Sequence, residues 1–224
     1  MIKVLVVDDT TEMRHLLVEI LSSDPQIEVV GSAPNTYMAL EKIKSLNPDV
    51  LTLDVRMTQM EGMSFLRRIM ESNPLPVVMV SSMGSDGADI TLQALELGAI
   101  DYMAKPLKDK QTELQNYARE FINKVKIASK ARIRPSPESL PNRNLSSVNP
   151  TLPEVPKALG QAEMIIALGA STGGTEALKD VLCHLPQSTP GIVITQHIPI
   201  AFSKPFSERL NANSAMTIHQ ALDG

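Results

Sequence analysis

Five polar residues in the first half of the chain are spaced as a phosphoryl-transfer site would need them. Asp8 and Asp9 follow the apolar run Val4-Leu5-Val6-Val7, Asp54 follows Val50 to Leu53, Ser81 follows Val77 to Val80, and Lys105 follows Tyr102 to Ala104. Converging carboxylates repel one another unless a hard divalent cation sits among them, and Mg²⁺ prefers such oxygen ligands. A lysine beside them can pair with a phosphate as a point charge. A serine hydroxyl can donate to a phosphate oxygen, and an aspartate can accept a phosphoryl group as a covalent nucleophile. Together they describe phosphoryl transfer to a carboxylate, with metal and lysine neutralising charge on the transferring group. Each residue alone has a plainer reading: Asp8-Asp9 as a helix cap, Lys105-Pro106 as a turn, Asp54 as a solvated loop acid. Coincidence at the ends of four separate strands outweighs those readings.

A second constellation lies in Gly169-Ala170-Ser171-Thr172-Gly173-Gly174, between a strand signal and a helix signal. A Gly-rich loop at a helix N-terminus is a ready anion site. Alternatively, Ser171 is a nucleophile raised on a tight turn, with backbone N–H groups nearby to stabilise an oxyanion. The spacing is not the Gly-x-Gly-x-x-Gly of a dinucleotide loop. His197 ends the next apolar strand, and two adjacent parallel strands would bring it to the same sheet edge as Ser171. A lone histidine at a strand end is more often structural than catalytic, so the residues alone leave both readings open.

The elements that must position these groups are legible as alternating periods. Val4 to Val7 is a β-branched run fit for a strand buried on both faces. Met13, Leu16, Leu17, Ile20 and Leu21 recur at helical spacing. Ile27 to Val30 predicts a second strand, and Ala39, Leu40, Ile43 and Leu46 a second helix. The turn Asn47-Pro48-Asp49 precedes the strand Val50 to Leu53, a helix follows Gly62, and Val77 to Val80 is the fourth strand. A helix over Ile90 to Leu97 stops at Gly98, a short strand spans Tyr102 to Ala104, and Leu114, Tyr117, Phe121, Ile122 and Val125 stripe a last helix. Five strand–helix units predict a parallel sheet covered on both faces.

Composition changes after Val125. Residues 126–162, rich in Pro, Ser and Asn from Arg132 to Lys157, form an expected linker. Its basic front edge (Lys124, Lys126, Lys130, Arg132 and Arg134) is expected to be a solvated helix end. Alternation then restarts: strand Met164 to Leu168, helix Thr175 to Leu182, strand Ile192 to Thr195, helix Phe202 to Leu210 and a third strand Met216 to Ala221. Cys183 is expected to be a small apolar filler, and His15, His184 and His219 share no metal spacing.

The bulk numbers exclude several classes. The 224 residues are 43% apolar and 21% charged with net charge −4, a globular balance without the basic excess of a nucleic-acid binder. One cysteine rules out an internal disulfide and fits a reducing compartment. No apolar run reaches the length of about 18 residues that a membrane span needs, and the N-terminus lacks the pattern of a signal peptide. The expected location is the cytoplasm, with no nucleic acid and no membrane insertion.

Val-Val-Asp-Asp at 6–9, Leu-Asp-Val-Arg-Met at 53–57, Met-Val-Ser-Ser at 79–82 and Tyr-Met-Ala-Lys-Pro at 102–106 resemble the response-regulator receiver domain. The resemblance covers residues 1–125 and implies a flavodoxin-like α/β fold with Asp54 as phosphoacceptor. It implies Mg²⁺ held by Asp9, Asp54 and the main-chain carbonyl of Arg56, with Asp8 assisting. Lys105 and Ser81 would contact the phosphate, Tyr102 would reposition on activation, and the Lys105–Pro106 bond would be cis.

Gly-Ala-Ser-Thr-Gly-Gly and Gln196-His197-Ile198-Pro199 resemble the start of the methylesterase domain of the chemotaxis protein-glutamate methylesterase (CheB) family. Val-Ser-Ser before Met83 and Leu-Glu-Leu-Gly-Ala-Ile-Asp at 95–101 carry the same flavour. Residues 163–224 would then be the N-terminal part of a Rossmann-like catalytic domain. The resemblance implies hydrolysis of glutamyl methyl esters on chemoreceptors, deamidation of receptor glutamines, and a chemotaxis histidine kinase as phospho-donor. Ser171 would attack, His197 would serve as general base, Thr172 would sit beside the nucleophile, and the esterase site would need no cofactor. The family's triad acid falls in a later stretch, and Asp180, Glu208 and Asp223 do not match its motif. Loss of a triad aspartate typically costs roughly 10⁴ in turnover, so these residues are expected to show little esterase activity. The alternative is a non-enzymatic receiver that accepts phosphoryl groups or competes for the kinase; no helix-turn-helix follows the linker to support a DNA-binding regulator.

Overall fold

In a computed structural model, residues 1–54, 59–81, 85–106, 111–131, 133 and 164–223 are described. The chain divides into two compact units, Met1–Ser136 and Pro137–Gly224.

The first unit alternates β1 (Ile2–Val7), α1 (Thr11–Ser22), β2 (Ile27–Ala33), α2 (Thr36–Leu46), β3 (Val50–Asp54), α3 (Gln59–Ser72), β4 (Val77–Ser81), α4 (Ser85–Glu96), β5 (Asp101–Ala104) and α5 (Gln111–Ala128). Its five parallel strands run in the order β2-β1-β3-β4-β5. That is the flavodoxin-like order, and it reverses direction between β1 and β3. The central strands are apolar without alternation because neither face meets water. Val4, Val6, Val50, Val78 and Val80 join a core with Leu17, Leu21, Phe121 and Val125 from α1 and α5. Leu5, Leu51, Leu53, Val77 and Met79, on the alternate positions, are just as completely buried. Punctuation follows from backbone chemistry. Asn47 ends α2 in the left-handed region, with φ of 46°, where a short polar side chain is tolerated.

Helices α3 and α4 begin earlier than the apolar spacing suggests, at Gln59 and Ser85. Their polar first turns carry no periodic signal. Two members of the basic edge are corrected. Lys124 is buried against Asp101 at 2.9 Å, and Lys126 pairs with Asp24 at 2.6 Å. Both acids lie far away in sequence, so local charge pattern could not reveal them.

The second unit comprises β6 (Ile165–Ala170), α6 (Gly174–Leu182), β7 (Gly191–Gln196) and α7 (Ile200–Asn213), with β6 and β7 paired in parallel. Leu168, Ala170, Ile192 and Ile194 pack against Leu178, Leu182, Phe206 and Leu210. The alternate strand residues are exposed, Ile165 at 73% and Val193 at 58%. The expected strand Met216 to Ala221 is not one: this stretch joins no ladder. Its burial does alternate, and with β7 and α7 it lines a cavity of about 610 Å³. Period-two apolarity reports which face is covered, and a strand also needs a backbone partner, which this stretch lacks.

Candidate functional site

Ladder register brings the first constellation together. Val7 pairs with Leu53, so Asp8 stands level with Asp54 across the β1–β3 switch point, where open α/β sheets bind ligands. Asp54 pairs with Val80 and Ser81 with Ala104, so Ser81 and Lys105 complete the same carboxyl edge. One ligand oxygen from each of Asp8, Asp9 and Asp54 lies within 4.8 Å of the others. Asp8, Asp54 and Ser81 are buried and Asp9 is exposed, so the cluster opens to solvent on the Asp9 side.

Lys105 is the cation of this pocket. Its Nζ donates to Asp54 Oδ2 at 2.7 Å and lies 2.8 Å from Asp8 Oδ2. The second contact is an ion pair without good hydrogen-bond alignment, and Asp8 Oδ2 remains a buried oxygen with no hydrogen bond. Burial pushes the Asp8 carboxyl above its ordinary pKa; Lys105 and the Thr10 N–H pull it back in part, and neighbouring Asp54 pushes it up again. Burial alone would lower the Lys105 pKa, but the carboxylates of Asp54 and Asp8 outweigh it and hold the ammonium above its ordinary value. The Lys105–Pro106 bond is trans, contrary to expectation. Trans is the lower-energy isomer of an X–Pro bond by about 0.5–1 kcal/mol, and Lys105 reaches both carboxylates from it.

The residues fit a divalent cation. Three carboxylate oxygens are hard donors, and buried Asp8 Oδ2, ion-paired with Lys105 but accepting no hydrogen bond, has capacity for an ion. Arg56, expected to add its carbonyl, lies outside the described residues.

Tyr102 is buried, and burial, then Asp101 and Glu120, push its phenol far above the ordinary value. Its N–H donates to Asp101 Oδ1 at 2.8 Å, while Lys124 pairs with Asp101 and stands 5.6 Å from the Tyr102 ring centroid. Sequence reasoning missed this α5 lysine. It also missed Arg14, which donates to the carbonyls of Asp8 and Asp9. A cation one turn into a helix opposes the dipole, and that misplacement was the available signal.

In the second unit, Gly169 pairs with Thr195 and Ala170 with Gln196, which brings Ser171 level with His197 at one sheet edge. The His197 N–H donates to Ala170 O at 3.0 Å, and both Ser171 and His197 are exposed. The loop is built around glycine. Gly173 has φ of +73°, and a Cβ on Gly174 would collide with Gln196 Oε1 and with Ala170. Gln196, read in the sequence only as part of the motif around His197, donates through Nε2 to Ser171 O at 2.9 Å, and that carbonyl also accepts from the Gly174 N–H at 2.7 Å. Thr172 is half-buried beside them. Among the described residues no carboxylate pairs with or hydrogen-bonds to His197. Asp180 and Asp223 are exposed, and Glu208 faces Lys204 at 3.8 Å.

Residues 4–118 match the response regulator receiver domain model. The chain belongs to the response-regulator receiver family. Residues 166–224 match the CheB methylesterase model, so the resemblance read from both sets of motifs holds. Over its whole length the chain is 49% identical to protein-glutamate methylesterase/protein-glutamine glutaminase 1 of Xanthomonas campestris pv. campestris, covering 63% of that protein. It is 48% identical to the protein-glutamate methylesterase/protein-glutamine glutaminase of Hydrogenovibrio crunogenus, with 99% of this chain covering 65% of that one. The receiver unit resembles the crystal structure of the response regulator domain of Thermotoga maritima CheB, at 40% identity and TM-score 0.52 over 58% of this chain and 98% of that one. The chain thus spans less than two-thirds of the length of these curated relatives. Among the described residues no helix is long and apolar enough to cross a membrane.

Proposed function

We propose that the chain is a protein-glutamate methylesterase and glutaminase of bacterial chemotaxis, controlled by phosphorylation of Asp54. The observation that carries the receiver half is the Asp8–Asp54–Lys105 cluster at the switch point of the sheet. Asp54 attacks the phosphorus of a phosphohistidine on a chemotaxis histidine kinase, so that a P–O bond to Asp54 forms as the P–N bond breaks and the donor imidazole leaves. Lys105 leaves one of its carboxylates to meet the arriving phosphoryl oxygens, Ser81 donates to another, and Tyr102 shifts once the charge at Asp54 changes. Asp8, Asp9 and Asp54 would hold Mg²⁺, with the Arg56 carbonyl, and the ion supplies charge neutralisation during transfer. Residues 1–125 act as the receiver, 126–162 as the linker and 163–224 as the opening part of the esterase.

At the second edge Ser171 attacks the ester carbonyl of a methylated chemoreceptor glutamate while His197 takes the serine proton and gives it to the departing methanol. Water, deprotonated by His197, then hydrolyses the glutamyl-serine ester, releasing the glutamate and restoring Ser171. Thr172 and the amides at the start of α6 face the oxyanion. Among the described residues no carboxylate reaches His197 to fix its tautomer, and turnover by these 224 residues is expected to be slight. That absence favours a second reading, in which these residues serve as a phosphoryl acceptor that competes within the pathway. Methanol release from methylated receptor, with and without a phospho-donor, distinguishes the two. Turnover that Ser171→Ala removes establishes the esterase in this chain; phosphoryl uptake without methanol supports the acceptor.

A further inference from the structure

We propose that Arg14 is a positioning residue for the acidic pocket, fixing the backbone that aims Asp8 and Asp9 at a bound cation. The inference rests on reading the pocket as a Mg²⁺-dependent phosphoryl acceptor. Arg14 Nη1 donates to the carbonyl of Asp8 at 2.8 Å and to that of Asp9 at 3.0 Å, and Nη2 donates to Thr11 Oγ1 at 3.0 Å. One planar fork therefore grips two consecutive peptide units and the first residue of α1.

Besides backbone bonds from the Asp8 N–H to Ala33 O at 3.2 Å and from the Arg14 N–H to Thr10 O at 3.0 Å, the turn is held by side chains. Thr10, the N-cap of α1, makes no side-chain capping bond. Its N–H is taken by Asp8 Oδ1 at 2.8 Å and its hydroxyl donates to Asp9 Oδ1 at 3.0 Å. Both of those bonds use carboxylate oxygens that a cation would compete for, whereas the Arg14 bonds use carbonyls. Arg14 can thus keep the turn in place while the carboxylates change partners. A guanidinium has no acceptor, so it cannot itself become a ligand, and carbonyls committed to it cannot swing toward the ion. Its charge also offsets part of the mutual repulsion of Asp8, Asp9 and Asp54. Groups that orient metal ligands in this way typically carry about 10–100-fold in metal affinity.

The test is Mg²⁺ titration calorimetry on the full chain. Arg14→Ala is expected to weaken Mg²⁺ binding by roughly 10–100-fold. The charge control Lys44→Ala, on the exposed end of α2, is expected to bind like wild type. Arg14→Lys keeps the charge but lacks the fork, and is expected to recover only a small part of the affinity. In labelling with a small acyl phosphate, Arg14→Ala should raise the Mg²⁺ concentration for half-maximal rate more than it lowers the rate at saturating Mg²⁺. A residue that merely stabilised α1 would lower the melting temperature and leave Mg²⁺ affinity alone. If Arg14→Ala does not fold, Arg14→Lys and Arg14→Gln, which retain the apolar stem, carry the same comparison. Wild-type affinity in Arg14→Ala, or full recovery in Arg14→Lys, overturns the proposal. Absence of Mg²⁺ binding and of Asp54-dependent labelling in wild type overturns the underlying reading instead.

Discussion

Among the described residues the two units build their sites on sheets of different size, five strands in the first and two in the second. In the first, β1, β3 and β4 lie in the middle of a five-stranded sheet, and nearly every residue is buried whichever way its side chain points. In the second, β6 and β7 alternate strictly between half-buried and exposed. The acids of the receiver consequently sit at the mouth of a dry core, where burial shifts Asp8 and sharpens each Coulombic contact. Among the described residues Ser171 and His197 are exposed, placed by register and by Gln196. The same strand-end geometry gives a buried, tuned pocket in one unit and an exposed juxtaposition in the other.

The largest expected effect breaks this comparison at the receiver. Asp54→Asn should abolish phosphoryl uptake in Mg²⁺, and Lys105→Ala should strongly reduce it. Equal radiolabelling of wild type and Asp54→Asn would remove the tuned pocket from the account.

The contrast in packing comes next. Phe121→Ala empties a site that is wholly buried, and should cost about 3–5 kcal/mol of receiver stability in urea denaturation. Val193→Ser, on the exposed face of β7, should change second-unit stability by within about 0.5 kcal/mol, read by amide hydrogen exchange. Comparable losses at the two positions would show that the outer face of β6 and β7 is not open.

The smallest effect sharpens the electrostatic side. The folded-state pKa of Asp8 lies above its ordinary 3.8, chiefly through burial. Its contribution to stability is therefore full below that value and is lost as pH rises through the raised pKa, leaving an ionised Asp8 unfavourable at neutral pH. Asp8→Asn should remove that decline and stabilise the metal-free protein at pH 7, with the gain shrinking in Mg²⁺. Urea midpoints measured across the acid range check this, and parallel pH curves for wild type and variant would refute it.

Much of the receiver was legible because its signals are redundant. Four apolar runs each end on a polar residue, and a doubly covered parallel sheet leaves one place for those ends to meet. The pairing partners were not legible. Lys124 and Lys126 read as solvent charges because Asp101 and Asp24 lie 23 and 102 residues away. Arg14 escaped notice because carbonyl acceptors leave no mark in a sequence. Met216 to Ala221 misled for the opposite reason, since its alternation is real and only the ladder is missing. Gln196 looked like a flank of His197, and its role as a prop beneath Ser171 depends on the close approach that Gly174 permits.

The bond from Lys105 to Asp54 also sets a threshold for metal entry. An ammonium carried on the protein's own backbone is a competitor at fixed, high effective concentration, and dilution cannot remove it. It already stands 2.7 Å from an oxygen of Asp54 and 2.8 Å from one of Asp8, so a divalent ion enters carboxylates that have a counter-ion. Metal and ammonium would share these carboxylates, and each is expected to weaken the other's hold.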